Sequence, residues 1–342
     1  MHTESRNHSL DATRLLAALC VVGLHVGTID TVSQAWNLVR IEMRWAVPFF
    51  FILTGLHLGS DLSLIPTRIA LLVPRLIRML VAASLLFLPV LIISRGFAGA
   101  LQEVFSFDFL RSGSYFHLWF ISALIIGLLL LQTLLVSNAK RLLKHVSALL
   151  ILMALLSGSY SVILPPGYGL EGTFAFFRHL LALPCLFIGL VLARSPTLAN
   201  GSALALAFGG AALQLLEVLM LQRYAGTSPF AHQFLLGTLP MAVGLISLAR
   251  NHATAISGRL SQWGRQHSLG IYIVHPLWML VYARLPLPQL ASHEALGPLI
   301  ATAVIFCASL VSMLVLERIR LMIAQLIRRR QDAHGGVHAI RY

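Results

Sequence analysis

Two ionisable side chains, Arg14 and His25, lie in one hydrophobic segment with the sequence RLLAALCVVGLH. Ionisable residues are costly inside a bilayer, so a pair of them in one segment indicates a function. Their spacing corresponds to three helical turns plus about 20°, which places both side chains on one helix face, roughly 16 Å apart along the axis. Asp11 lies one turn before Arg14 on the same face. The spacing predicts an arginine near one membrane surface and a proton acceptor deeper in the same helix.

The composition predicts an all-α integral membrane protein. Of the 342 residues, 58% are hydrophobic and 11% are charged, whereas soluble domains carry about 25% charged residues. The mean hydropathy is +0.83. The net charge of +13 does not indicate nucleic acid as a partner, because the basic residues stand at the ends of apolar runs, where arginines contact membrane lipids.

Apolar runs along the chain predict about ten transmembrane helices. The predicted segments are 10–29, 45–58, 79–93, 117–136, 146–164, 174–193, 203–222, 230–248, 268–282 and 299–316. Most of the 25 basic residues then fall on the side that holds both termini, which predicts cytoplasmic N- and C-termini. Residues 1–320 are predicted to form one transmembrane domain, followed by a basic cytoplasmic tail over 321–342.

This orientation sorts the polar residues of the predicted spans into two layers. The inner layer, suited to a polyanion, contains Arg14, Arg75 and Arg78. The outer layer, suited to proton transfer, contains His25, His117, Glu217 and His275, with Trp119 beside His117. Other roles remain open, since membrane arginines often bind lipid phosphates and membrane histidines often link helices. No cluster of His, Cys and Asp has metal-ligand spacing, so no metal site is predicted.

Several segments resemble, in order, the bacterial membrane-bound acyltransferase-3 family. LDATRLLAALCVVGLH is similar to the family's first helix, in which an arginine is followed by ten residues and a histidine. VPFFFILTG resembles the second-span motif, with Thr54-Gly55 in place of the usual Ser-Gly. PRLIRML resembles the arginine-bearing entry to the third span, and HLWFI and LGIYIVHP resemble later segments that carry Trp and His.

This resemblance implies an O-acyltransferase in the bacterial inner membrane. Its co-substrate would be acetyl-CoA or another acyl-CoA, and its acceptor a hydroxyl of a cell-envelope glycan or of the lipid-linked precursor. Arg14, Arg75 and Arg78 would hold the CoA phosphates. His25 would be the general base, and Arg14 would be a second catalytic residue. The expected acceptor-side residues are His117, Trp119, Glu217 and His275. A transient acyl-histidine and the oligomeric state remain open.

Two other functions compete with the acyltransferase. A proton-coupled transporter or flippase of a glycan or small metabolite would also use intramembrane His and Glu residues. The absence of an internal repeat in the sequence disfavours it. A family member that has lost catalysis would serve as an assembly partner, but the Arg14–His25 pair argues against that loss.

Overall fold

The computed structural model describes residues 6–27, 33–59, 61–137, 139–165, 170, 172–285 and 296–335, without the side chains of 110, 140 and 329–335. The described residues form α-helices, short 3₁₀ turns and connecting segments, with no β-strand among them. The helices are α1 (His8–His25), α2 (Gln34–Ile41), α3 (Ala46–Leu58), α4 (Ile65–Val104), α5 (Phe107–Ser112), α6 (Trp119–Val136), α7 (Lys140–Ser157), α8 (Phe174–Leu180), α9 (Ala182–Arg194), α10 (Asn200–Ala225), α11 (Thr238–Asn251), α12 (Arg259–Tyr282) and α13 (Leu296–Gly335).

The all-α prediction is confirmed, whereas the count of ten spans is not. Each of the ten predicted segments overlaps a helix. Within the described ranges, six helical segments are long and apolar enough to cross a membrane: Gln34–Leu58, Ile65–Val104, Phe116–Val136, Phe174–Arg194, Asn200–Ala225 and Leu296–Arg328. The other four predicted spans fall on α1, α7, α11 and α12. These helices are either short, like α11 with its 14 residues, or begin with charged and polar residues.

Helix α1 packs against α12, α13, α3 and α11. Asn7 caps its first turn by accepting a hydrogen bond of 2.8 Å from the backbone N–H of Leu10. Helix α12 approaches very closely at Gly264, where a Cβ atom would lie only 1.8 Å from the backbone oxygen of Asp11. This crossing brings Arg14 of α1 close to Arg265 of α12.

A second close crossing joins α3 to α9. A Cβ atom at Gly55 would lie 2.2 Å from the Leu186 oxygen, and one at Gly189 would lie 2.1 Å from the Ile52 oxygen. The glycine of the Thr54-Gly55 motif is therefore required by the packing of two backbones.

Helices α4 and α13 are much longer than the segments that the sequence predicted. Helix α4 begins at Ile65, well before the predicted segment 79–93, and is kinked at Gly96, whose φ of 70° is not helical. Helix α13 continues without a break past residue 320 to Gly335, so the predicted tail begins as part of the last helix. Residues 336–342 of that tail lie outside the described part of the chain.

We expect Gly264→Val to destabilise the protein, because the added side chain would push α12 away from the α1 backbone. Overpacking of this kind costs about 1–3 kcal/mol or more. Gly209→Ala is the matched control, since a Cβ atom on this helical glycine meets no atom within 4 Å. Thermal unfolding in detergent should show a lower midpoint for Gly264→Val alone; equal midpoints for the two variants would contradict the close crossing.

Candidate active site

A wide polar opening, here called the vestibule, lies where α1 begins, α3 ends and α12 passes. Its volume is about 990 Å³. Its polar lining residues are Arg6, Asn7, Asp11, Arg14, His57, Asp61, Thr197, Arg68, Arg250 and Arg265. In this described lining, five arginines stand against two aspartates, so the vestibule attracts anions.

Much of the acidic charge in the vestibule is already paired. Asp11 forms ion pairs of 2.9 Å with Arg6 and 2.8 Å with Arg14. The Arg14 guanidinium also lies 3.3 Å from His57 Nε2. Hydrogen bonds from the Ser63 hydroxyl and backbone N–H lower the pKa of Asp61, which keeps that exposed carboxyl ionised.

The vestibule continues into an apolar space, here called the inner cavity, with a volume of about 530 Å³. Arg14, His57, Arg68 and Arg265 line both spaces. The remaining wall is mainly aliphatic and aromatic: Val21, Val47, Phe50, Leu53, Thr54, Leu58, Leu72, Leu76, Met79, Phe120, Ile121, Leu124, Ser268, Leu269 and Tyr272. A charged mouth thus leads to a long apolar interior.

Three histidines from separate helical segments meet beyond the inner cavity and form what is here called the histidine cluster. His25 ends α1, His117 lies in the 3₁₀ turn before α6, and His275 belongs to α12. The ring centroids are 5.1 Å apart between His25 and His275 and 5.5 Å apart between His117 and His275. The sequence prediction of an outer histidine layer therefore corresponds to one cluster, although its chemical role stays a prediction.

Hydrogen bonds fix the neutral tautomer of each ring. The carbonyl oxygens of Val21 and Tyr272 lie 2.8 Å from His25 Nδ1 and His275 Nδ1, and the Ile273 oxygen lies 3.2 Å from His117 Nε2. Since a carbonyl only accepts, each of these ring nitrogens is the N–H donor. The lone pairs then lie on the opposite nitrogens. Those of His117 and His275 are buried and meet no hydrogen-bond donor among the described residues.

The inner cavity and the histidine cluster share part of their walls. Val21 lines the cavity and accepts the hydrogen bond from His25. Tyr272 also lines the cavity, and its ring lies 5.3 Å from that of His117, whose backbone oxygen accepts a hydrogen bond from the Tyr272 hydroxyl. Phe120 packs on Tyr272 with ring centroids 5.4 Å apart. The cluster is therefore one aromatic layer away from the cavity.

Comparison with known proteins assigns the chain to a family. The profile of the family described as "Acyltransferase domain", acyltransferase-3, matches residues 7–318, nearly the whole chain. The chain belongs to the acyltransferase-3 family. The proposed resemblance is confirmed, and the family supports a multi-pass membrane acyltransferase.

Curated relatives of this acyltransferase match only in part. A serine/alanine racemase of Enterococcus gallinarum is 31% identical over 143 residues, which is 38% of this chain and 20% of the relative. An amino-acid racemase of Enterococcus faecalis is 28% identical over 130 residues, which is 36% of this chain and 18% of the relative. The match thus spans about a fifth of each relative's length. No solved structure matches the chain.

The structure separates the predicted phosphate-binding arginines of this acyltransferase. Arg14 lines both the vestibule and the inner cavity, but Arg75 and Arg78 are exposed on α4 and line neither space. Sequence reasoning missed Arg68 and Arg265, which do line both. Each precedes its predicted apolar segment. If the predicted third segment had been extended toward the N-terminus, Arg68 would have fallen on one helix face with Leu72, Leu76 and Met79.

Two of the predicted acceptor-side residues, Glu217 and Trp119, are not members of the histidine cluster. Glu217 accepts hydrogen bonds of 2.9 Å and 3.1 Å from the backbone N–H groups of Leu236 and Gly237, and another from the Tyr160 hydroxyl. These contacts hold the segment that enters α11. The Trp119 ring packs beneath the Arg178 guanidinium, whose Cζ lies 4.6 Å from the ring centroid. Trp119 also lines a small pocket.

We expect Glu217→Ala to lower stability and leave catalysis in the folded fraction nearly unchanged. Hydrogen bonds to a charged acceptor contribute about 1.5–3 kcal/mol, and the variant removes three such contacts. Glu217→Gln, which keeps one acceptor oxygen, should lose less. Thermal unfolding and activity per folded molecule measure the two effects. A large loss of activity at unchanged stability would instead support the predicted role of Glu217 in acting on the acceptor.

Proposed function

We propose that this acyltransferase moves an acetyl or other acyl group from acyl-CoA to a hydroxyl of a cell-envelope glycan or its lipid-linked precursor. The observation that carries the proposal is the order of the spaces: a cationic vestibule, then an apolar cavity, then a cluster of three histidines. A polyanion with a long arm and a reactive end fits such a layout. Neither the vestibule nor the histidine cluster would by itself indicate acyl-CoA.

We also propose an orientation of the protein in the bacterial inner membrane. Ten spans with cytoplasmic termini would place the vestibule, which forms around the start of α1, on the cytoplasmic side. Acyl-CoA is made on that side. The predominance of basic residues on that side supports the orientation. Helices α1, α7, α11 and α12 would be spans whose polar residues face neighbouring helices and the vestibule rather than lipid.

CoA matches the dimensions of the site. Arg14, Arg68 and Arg265 would hold its phosphates by charge-assisted hydrogen bonds at the neck between the vestibule and the inner cavity. The pantetheine arm is about as long as an extended tetrapeptide, roughly 14 Å. That length is close to the rise of roughly 16 Å between Arg14 and His25 along α1. The thioester would then lie at the aromatic layer formed by Phe120 and Tyr272.

His25 would act as the general base through Nε2, the nitrogen left with a lone pair. The acceptor oxygen attacks the thioester carbonyl and forms a C–O bond while its proton passes to His25 Nε2. The tetrahedral intermediate then collapses and the C–S bond breaks. The departing CoA sulfur takes the proton from His25, which returns the imidazole to its neutral form. The hydrogen bond from Nδ1 to the Val21 oxygen keeps the ring oriented throughout.

We expect His25→Ala to reduce acyl transfer by about 10²–10⁴-fold, the usual contribution of a general base, with CoA binding retained. The measurements are mass spectrometry of envelope glycans and release of free CoA by purified protein. His145→Ala is the control, because that exposed histidine on α7 contacts only the Arg141 carbonyl among the described residues. Unchanged acylation by His25→Ala would exclude His25 as the base. A wild type that neither binds acyl-CoA nor releases free CoA would favour a transporter, which has no use for a thioester.

We expect Arg68→Gln and Arg265→Gln each to weaken CoA binding by about tenfold or more, since each removes a charged donor from the neck. Arg75→Gln and Arg78→Gln are matched controls on exposed positions of α4 and should bind CoA like the wild type. Calorimetry with CoA at fixed ionic strength measures the difference. Equal losses in both pairs would show that the phosphates bind outside the vestibule.

A further inference from the structure

Four arginines gather at the opposite end of α1 from the vestibule. Arg40, Arg44, Arg111 and Arg178 each carry a buried Nε–H with no hydrogen-bond acceptor in the described part of the chain. On sequence they belong to the few basic residues of the predicted outer side, where arginines normally reach towards water or lipid headgroups. Here each Nε–H is buried in the protein instead, although the Arg111 guanidinium also reaches the exposed Asp108. Buried donors without acceptors are rare in folded proteins and indicate a missing partner.

Two of these arginines line a small space, here called the arginine pocket. Arg44 and Arg178 face it together with Trp119 and Gln233, and its volume is about 60 Å³. A water molecule takes up about 30 Å³, so the space accepts a group the size of about two waters. That is room for a single phosphate group but not for a sugar ring.

The positive charge around the arginine pocket is poorly compensated. Asp108 pairs with Arg111 at 2.6 Å. Arg44 and Arg178 have no ion pair with any carboxylate of the described residues, and Glu42, two residues before Arg44, pairs with neither. The Arg178 guanidinium lies over the Trp119 ring, 4.6 Å from the ring centroid. Like charges withdrawn from water repel each other, and an anion between them would offset both the repulsion and the desolvation.

The arginine pocket adjoins the histidine cluster. It is lined by Leu24, the neighbour of His25, and by Trp119, two residues after His117. Arg40 Nη2 donates a hydrogen bond of 2.6 Å to the Leu24 oxygen. Along α1, Leu24 is roughly 15 Å from Arg14. An anion in this pocket would therefore be separate from CoA phosphates in the vestibule, yet close to the proposed base.

We propose that the arginine pocket binds a phosphate group of the acceptor, as in a prenyl diphosphate-linked glycan. Its bidentate guanidinium groups suit phosphate oxygens, and the bound phosphate would hold the attached sugar beside His25. Assignment of the phosphate to the acceptor rests on the proposed function. Binding of the anion itself does not.

The first experiment tests the anion site alone. Purified protein in neutral detergent is saturated with CoA, which occupies the vestibule, and its thermal unfolding is followed as inorganic phosphate and pyrophosphate are added. The wild type should be stabilised by the added anion, and Arg44→Gln/Arg178→Gln should not. Arg223→Gln, an exposed arginine on the same predicted side, is the control and should respond like the wild type. No stabilisation of the wild type, or an equal response of the double variant, would overturn the site.

Arg178→Lys covers the case in which the double variant does not fold. Lysine keeps the charge but loses the planar fork, so a phosphate site predicts a weakened, titratable response rather than none. A purely structural role for Arg178 would lower stability equally with and without phosphate, and that result would also overturn the site.

The second experiment identifies the source of the phosphate. Transfer is compared between a prenyl diphosphate-linked sugar and the same sugar as a free glycoside. The double variant should raise KM for the diphosphate acceptor by about tenfold or more, leave KM for the glycoside unchanged and bind CoA normally. Phosphate stabilisation that disappears in phosphatidylglycerol nanodiscs but persists in phosphatidylcholine nanodiscs would assign the pocket to lipid headgroups and overturn the acceptor role. Phosphate binding without transfer to either acceptor would overturn the proposed function and leave the anion site standing.

Discussion

The close crossing of α1 and α12 is the constraint on which the rest of the site depends. Gly264 allows the two backbones to touch at Asp11, and each helix then contributes one residue to the arginine layer and one to the histidine layer. Arg14 and Arg265 meet at the vestibule, and His25 and His275 meet beyond the inner cavity. Since each helix carries one residue of both layers, the separation between the cationic and histidine layers follows from the helical rise.

The distribution of charge also changes along the axis of α1. The vestibule is wide, open and rich in arginine, which suits a mobile polyanion. In the histidine cluster each ring donates one N–H to a backbone carbonyl, so that a neutral ring has its lone pair on the opposite nitrogen. The arginine pocket beyond it is much smaller than the vestibule. A proton acceptor thus lies between two cationic regions of very different size, as a reaction between a large donor and a phosphate-bearing acceptor would require.

The Arg14–His25 relationship was predictable because helical period alone fixes it, and the histidine layer followed from depth in the membrane. Contacts between distant segments were not predictable in this way. Arg68 and Arg265 precede the apolar runs, so hydropathy placed them outside the spans, whereas tertiary packing brings them to the neck. Glu217 looked like a proton carrier because it is an acid in an apolar helix, yet it accepts the hydrogen bonds of the turn before α11. Hydropathy also cannot distinguish a lipid-facing helix from one that is enclosed by other helices. The number of membrane spans was therefore not predictable from hydropathy alone.

The decisive measurement is a cryo-electron microscopy structure of the protein with bound CoA. We expect density for the phosphates between Arg14, Arg68 and Arg265, with the arm running through the inner cavity. The thiol should then lie at the Phe120–Tyr272 layer, next to His25. Phosphate density elsewhere, or an arm that stays in the vestibule and leaves the inner cavity empty, would contradict the account.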